Sequence, residues 1–404
     1  MPNQTKFGII REGKIPPDSR VPLIPVQCAR VIQNYPCQLV VQPAPGRCYT
    51  DEEYRAQNVP LQEDISDCDV LMGVKEVPIH QLIPNKTYCF FSHTIKEQAY
   101  NRKLLQAILE KNIRLIDYEV LTDEKGHRLI AFGRFAGMVG AHNALYTYAQ
   151  RTGAFELKRM KDCHDYAEAV TLYKKLKLPP VKIILTGTGR VGVGAQTVLK
   201  DMGIHQVSPE DFLNLSYDEA VFTQLHAVDY AVHKDNEPFD KLDFYFHPEQ
   251  FKSNFARYYE VADIMINGIY WDNKAPAFFT REEMLLPQFK IKVIADITCD
   301  IAPVSSIPST LRASTIADPV FGYNPATGQE EAPYQPHVVD MMTIDNLPNE
   351  LPRDASQNFG EQFIEHILPE FFAEESEVLE RAVVAENGKL TKHFEYLQGY
   401  VEGR

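Results

Sequence analysis

Along the first 135 residues, short apolar runs alternate with longer polar stretches. FGIIRE, QLVVQP, DVLMGVKE, TYCFFSH and RLIDYE each carry a compact apolar or β-branched centre, and helix-prone segments such as TIKEQAYNRKLLQAILEKN separate them. That alternation predicts βαβ units and a parallel sheet. The next stretch, FAGMVGAHNALYTYAQ (residues 135–150), stays apolar for too long to be a strand and predicts a helix running between two lobes. LKLPPVKIIL then breaks at Pro-Pro and restarts a sheet. Beyond it, GAQTVLKDMG is a helix, ADIMINGIYW and KVIADITCD are further buried strands, and Asn324–Pro336 is a Pro- and Gly-rich loop. ASQNFGEQFIEHILPEFFAEE carries apolar residues at helical spacing, and the tail holds a short apolar run and a helix-like end. The pattern predicts an α/β chain of two Rossmann-like doubly wound domains with an inter-domain cleft. Residues 1–135 plus 350–404 would form a discontinuous substrate-binding domain, and 136–349 a dinucleotide-binding domain.

The second domain opens on LTGTGRVGVGA, residues 185–195. Gly187, Gly189 and Gly192 make G-x-G-x-x-G, with Arg190 and Val191 inside it, after a strand and before a helix. Glycine permits the tight turn, the approach of backbone to a pyrophosphate and close helix–strand packing, while the helix N-terminus offers N–H groups to phosphate. Counting about 20 residues from the first glycine, where an acid would bind a ribose hydroxyl, lands on Val207-Ser208. Ser208 brings no charge against a 2′-phosphate, and Arg190 is a second candidate phosphate contact. The cofactor is expected to be NAD or NADP, with the preference open.

Composition narrows the partners. A net charge of −14 argues against nucleic acid and anionic lipid, and no apolar run approaches the ~20 residues of a membrane helix. The N-terminal segment lacks a secretion-type apolar stretch and carries Glu12 and Asp18, which transit peptides avoid, so a cytoplasmic location is expected. Seven scattered cysteines without C-x-x-C read as reduced, buried thiols, with no metal site. Small molecules are the expected partners, for a monomer or small homo-oligomer.

Candidate chemistry lies in the first domain. GVKEVP puts Lys75 and Glu76 where a hydrophobic strand stops, and FFSHTIK does the same with His93, followed by Lys96. RLIDYE ends on Glu119, HRLIAFGRFAG contains Arg128, and SRVPLIP carries Arg20. Adjacent parallel strands deliver such ends to one site. A lysine and a histidine with pKa values drawn toward neutrality suit the proton transfers of imine formation. The cations suit substrate carboxylates and the glutamates suit a substrate amine.

At these residues the chain resembles the lysine–2-oxoglutarate reductase (saccharopine-forming) domain of the bifunctional lysine-degrading enzymes, and the fungal saccharopine dehydrogenases that yield lysine. Both lie within the alanine dehydrogenase/transhydrogenase superfamily. SRVPLIP, GVKEVP, KTYCFFSHTIK, RLIDYE, IAFGRFAG, GTGRVGVGAQ, INGIYW, ADITCDI, TIDNLP and NGKL carry the resemblance, with FFSHTIK and INGIYW the specific ones. It implies Lys75 and His93 as the acid–base pair. Arg20, Lys96 and Arg128 would hold carboxylates, and Glu76 and Glu119 the lysine-derived part. Asn267, Ile269, Tyr270 and Asp296 would line the cofactor cleft, with Asp345 near the nicotinamide. Glu76 agrees with the fungal form, whereas Ser208 departs from the acid of the NAD-using enzymes. The resemblance implies interconversion of saccharopine with lysine and 2-oxoglutarate, and only one of the two steps of the bifunctional enzymes. The alternatives are reductive amination of a small 2-oxo acid with ammonia, as in alanine dehydrogenase, and a non-catalytic nucleotide sensor.

Overall fold

The computed structural model describes residues 4–404. The chain forms two compact units: one runs to Phe132 and resumes at Pro352–Arg404, and the other is Gly133–Leu351.

In the first unit, strands β1 (Thr5–Ile9), β2 (Cys37–Val41), β3 (Val70–Met72), β4 (Thr87–Phe90) and β5 (Arg114–Asp117) lie parallel in the order β5-β4-β3-β1-β2. β3 is buried throughout, as are the last three residues of β4 and β5, which is what a parallel sheet covered on both faces requires. The helix Arg102–Glu110 turns Leu104, Leu105, Ala107 and Ile108 inward, onto Tyr88, Phe90 and Leu115 of the sheet. The strand order reverses between β3 and β1, the point at which open α/β sheets bind ligands beyond their carboxyl ends. Phe359, from the helix Pro352–His366, stacks on Phe132 at 4.6 Å and meets Tyr118 at 5.2 Å. It is fully buried, so truncation to alanine would cost about 3–5 kcal/mol.

In the second unit the chain continues with β6 (Lys182–Thr186), β7 (His205–Gln206), β8 (Val221–Leu225), the antiparallel pair β9 (Ala231–His233) and β10 (Phe251–Ser253), β11 (Ile264–Asn267), β12 (Val293–Asp296), β13 (Val320–Asn324), β14 (Gln329–Glu331) and β15 (Val339–Met342). The large sheet runs β14-β13-β15-β12-β11-β6-β8-β7, parallel from β15 to β7. Its far edge is antiparallel, because β13 and β14 form a hairpin where an irregular loop was expected. Asn324 accepts the Gly328 N–H through its backbone and the Ala326 N–H through its side chain, and Gly328 turns at φ 71°. The Pro- and Gly-rich residues are thus the turn of a hairpin. The apolar helix is Gly133–Thr152 and belongs to the second unit. It packs on the helix Arg190–Asp201 so closely that a Cβ on Gly137 would stand 1.9 Å from the Val191 carbonyl oxygen. The tail rejoins the first sheet: β16 (Val383–Glu386) lies antiparallel on β5, with β17 (Lys389–Leu390) outside it.

Among the described residues no helix is long and apolar enough to cross a membrane, and no His, Cys, Asp and Glu side chains group to hold a metal ion. All seven cysteines are free thiols.

Candidate active site

Because the five strands are parallel, the segments leaving β1, β3, β4 and β5 emerge at one end of the sheet, and each carries an ionisable side chain. Lys75 and Glu76 follow β3, His93 follows β4, and Glu119 follows β5. Lys75 Nζ stands 3.4 Å from His93 Nε2. Two carboxylates flank the imidazole: Glu119 Oε2 at 3.5 Å from Nδ1 and Glu76 Oε1 at 3.8 Å from Nε2. These are ionic contacts longer than hydrogen bonds, and Glu76 Oε1, His93 Nδ1 and Glu119 Oε2 are buried polar atoms without a hydrogen-bond partner. His93 itself adopts a left-handed backbone, φ 53° and ψ 11°, a conformation that costs a residue with a side chain about 1–3 kcal/mol.

The surrounding charges set the protonation landscape. Burial holds Lys75 below the ordinary lysine range, and the positive charge of Arg20 adds to the effect. Burial works to raise Glu119, but its contact with His93 and the charges of Lys96 and Arg128 outweigh it and hold the carboxyl well below the usual range. The β1 exit contributes Glu12, which sequence reasoning took only as a charge at the N-terminus. Its carboxylate accepts the N–H groups of Val74 at 2.6 Å and Lys75 at 3.0 Å. Desolvation pushes it up to about 8 against the pull of those donors. Lys14, also missed, pairs with Glu76 at 2.7 Å. The available signal was position: REGK follows the strand beside the order reversal.

The cations expected to hold substrate carboxylates have partners within the protein. Arg20 is buried and grips Asp18 with two nitrogens, at 2.6 and 3.0 Å, while lying 4.3 Å over the Phe132 ring. Its positive charge bears on Lys75. Lys96 and Arg128 approach Glu119 at 3.2 and 2.6 Å, so the cations expected to bind substrate carboxylates already pair with the acid expected to bind the amine. The first cluster is a network of opposed charges around His93.

In the second unit, Gly189 starts the helix Arg190–Asp201 with no side-chain cap, and a Cβ added to it would meet nothing within 4 Å. At Gly192 a Cβ would stand 2.1 Å from the Gly187 carbonyl oxygen. One glycine therefore leaves space beside an uncapped helix N-terminus and the other packs the loop, which fits a dinucleotide pyrophosphate. Arg190 is exposed, and Val191 seats against Gly268. Ser208 caps the short helix Pro209–Asn214, bonding the N–H and carboxylate of Asp211. The residue count lands beyond edge strand β7. The neighbour of β6 is β8, with Leu225 paired to Thr186, so the residue after that strand is His226, which is exposed.

Asn267 and Asp296 end neighbouring strands β11 and β12. Both are fully buried. Asn267 bonds Thr186, Asp296 and Ser306 at 2.7, 2.9 and 3.1 Å, and Asp296 accepts from Thr298 and Thr310 at 2.6 Å each. Their side chains bond one another and brace the strand ends. Ile269 is half-buried against the core, Asp345 is exposed and Tyr270 is 87% exposed. Tyr270 lines a cavity of about 180 Å³ with Tyr230, Tyr245, Trp271 and Asp272, which sequence reasoning missed.

Residues 8–139 match the family described as alanine dehydrogenase/PNT, N-terminal domain. The bovine protein named α-aminoadipic semialdehyde synthase, mitochondrial, is 29% identical over 96% of this chain and 47% of its own length. The Arabidopsis thaliana α-aminoadipic semialdehyde synthase is also 29% identical, over 96% of this chain and 41% of its own. The chain thus spans less than half the length of these relatives. An Emericella nidulans protein named saccharopine dehydrogenase [NAD(+), L-lysine-forming] is 26% identical over 89% of this chain and 90% of its own. Among solved structures, an L-alanine dehydrogenase superposes with a TM-score of 0.67 at 13% identity, covering 99% of both chains. A transhydrogenase from Sinorhizobium meliloti gives 0.59 at 12%, covering 95% of this chain and 100% of its own. The fold is that of alanine dehydrogenase. The chain is a homologue of the saccharopine dehydrogenases and α-aminoadipic semialdehyde synthases, with an alanine dehydrogenase/PNT N-terminal domain at residues 8–139.

Proposed function

We propose that this chain is a nicotinamide-dependent oxidoreductase of lysine metabolism that interconverts saccharopine and oxidised dinucleotide with lysine, 2-oxoglutarate and reduced dinucleotide. The observation that carries the reading is the Lys75–His93 contact at 3.4 Å inside a ring of carboxylates. When bound, the cofactor supplies or accepts the hydride. Gly187, Gly189 and Gly192, with the uncapped helix start, would hold its pyrophosphate, and His226 stands where a ribose-binding acid is common. The Asp229 carboxylate accepts the His226 N–H at 2.8 Å, so an acid and an imidazole stand together there, and the rates with NADPH and NADH decide the preference.

The protein's own part is proton management. Condensing the lysine ε-amine with the keto carbon requires a proton to leave the nitrogen and one to reach the departing hydroxyl, which leaves as water. A lysine held below its ordinary range and an imidazole in contact with it pass such protons without large changes in local charge. Glu76 and Glu119 balance either site when it is cationic. The homologues named saccharopine dehydrogenase support the substrate assignment.

A second reading, reductive amination with ammonia, is favoured by one observation: Glu76 and Glu119 are already paired with Lys14, Lys96 and Arg128. Initial rates of NADPH and NADH oxidation with 2-oxoglutarate, measured with lysine and then with ammonia, separate the two. A rate with lysine well above that with ammonia is expected. Equal rates, or turnover with ammonia alone, overturn the lysine reading.

A further inference from the structure

His93 sits in a backbone shape that side chains disfavour, and one buried carboxylate ties the chain on both sides of it. Ser92 donates to Asp117 Oδ2 from its backbone N–H at 3.2 Å and from its hydroxyl at 2.5 Å. The same hydroxyl oxygen accepts the Thr94 N–H at 3.2 Å and lies 2.7 Å from the Thr94 hydroxyl. The residue before His93 and the residue after it are therefore fastened to each other and, through Ser92, to Asp117. The other carboxylate oxygen, Oδ1, accepts the N–H of Glu119 at 2.8 Å, the residue whose side chain faces His93 Nδ1 at 3.5 Å. Asp117 ends β5 in register with Phe90 at the end of β4. One rigid side chain at the sheet rim thus fixes the exits of two strands at once. Ser92, Thr94 and Asp117 are all fully buried, so water does not compete for these bonds.

We propose that Asp117, acting through Ser92 and the Glu119 backbone, is a positioning residue that holds the His93 imidazole against Lys75 and Glu119. It touches neither reacting atoms nor, by any bond above, the imidazole; it acts by denying the His93 loop its relaxed backbone. The inference rests on the proposed function only where turnover is the readout. Its geometric content stands apart from any substrate.

Ser92→Ala removes the hydroxyl that joins Thr94 to Asp117, while sparing the backbone N–H bonds of Ser92 and Glu119 to that carboxylate. Asp117→Asn keeps the size and weakens both links. For each variant, kcat is expected to fall by about 100-fold, the scale of a displaced reactive group, while the dinucleotide KM stays within about twofold. Imidazole ¹⁵N–¹H NMR, with the His93 signals identified by their loss in His93→Gln, supplies the second arm. Both variants should shift or split those signals and leave the other histidines in place. His93 signals identical to wild type in both variants overturn the proposal, as does an unchanged kcat in an enzyme that turns over. If the wild type fails to turn over lysine and 2-oxoglutarate, the functional reading falls, and the NMR comparison still decides the role of Asp117.

Discussion

Each unit gathers polar side chains at the carboxyl ends of its parallel strands, and the two clusters are built on opposite principles. Around Asn267 and Asp296 donors are matched to acceptors: Thr186, Ser306, Thr298 and Thr310 close the set at 2.6–3.1 Å. Around His93 three buried atoms lack hydrogen-bond partners, and the imidazole stands 3.4–3.8 Å from one lysine and two carboxylates. An orphaned buried polar group costs about 1–3 kcal/mol. A sheet rim that merely had to be stable would be finished like the second cluster. The unfinished cluster retains hydrogen-bonding capacity for an outside partner, which is the difference the proposed function builds on.

The largest test of that distinction is removal of the pair itself. Lys75→Met and His93→Gln are each expected to lower kcat/KM by about 10²–10⁴-fold with lysine, 2-oxoglutarate and reduced dinucleotide. Their unfolding free energies should move by less than about 1 kcal/mol. Loss of stability with activity retained would make the first cluster a brace too. Asp296→Ala should do the reverse. It leaves Thr298, Thr310 and Asn267 facing an empty buried site, so denaturant unfolding should register a loss of about 3 kcal/mol. An unmoved midpoint would mean the network is not holding the strand ends.

The glycine loop contains the same contrast within four residues. Gly189→Ala adds a methyl into open space, at φ −78° where alanine is comfortable, so the fold should be indifferent. The dinucleotide Kd, by fluorescence titration, should weaken about tenfold as the methyl occupies the approach of the pyrophosphate. Gly192→Ala should instead destabilise by more than about 2 kcal/mol, because its methyl meets the Gly187 carbonyl. If Gly189→Ala binds dinucleotide normally, the space beside that helix start is not where phosphate lies.

Particular residues show how much of this was legible in sequence. Alternating apolar runs sufficed for the sheet of the first unit, because a strand buried on both faces is written as a contiguous apolar segment. GVKEVP and FFSHTIK pointed to Lys75 and His93 because polar residues break such runs where the strands stop, and the structure sets the two side chains 3.4 Å apart. The count to Ser208 could not show that the chain lays an edge strand before returning to fill the place beside β6, because a residue count carries no strand order. The threonine partners of Asn267 and Asp296 were hidden for a related reason: a polar residue ending a buried strand looks the same in sequence whatever it faces. Glu12 was hidden most completely, because its partners are two backbone N–H groups more than 60 residues away.

Glu12 also offers the finest test of how the first cluster bears its mismatch. Its carboxyl sits at about 8 in the folded protein against an ordinary 4.5. Between those values the folded state holds a proton that the unfolded chain has released. Stability must therefore fall as pH rises through that window and level off above it. Glu12→Gln keeps an oxygen for one of the two N–H donors and removes the titration. The wild-type unfolding free energy should decline from about pH 5 to about pH 8 while the variant's declines less, and the difference between the two slopes belongs to Glu12. Groups titrating elsewhere act on both proteins and cancel. Parallel slopes would mean that the carboxylate is solvated well enough to ionise normally. The strain at the strand ends would then be confined to His93 and its two flanking acids.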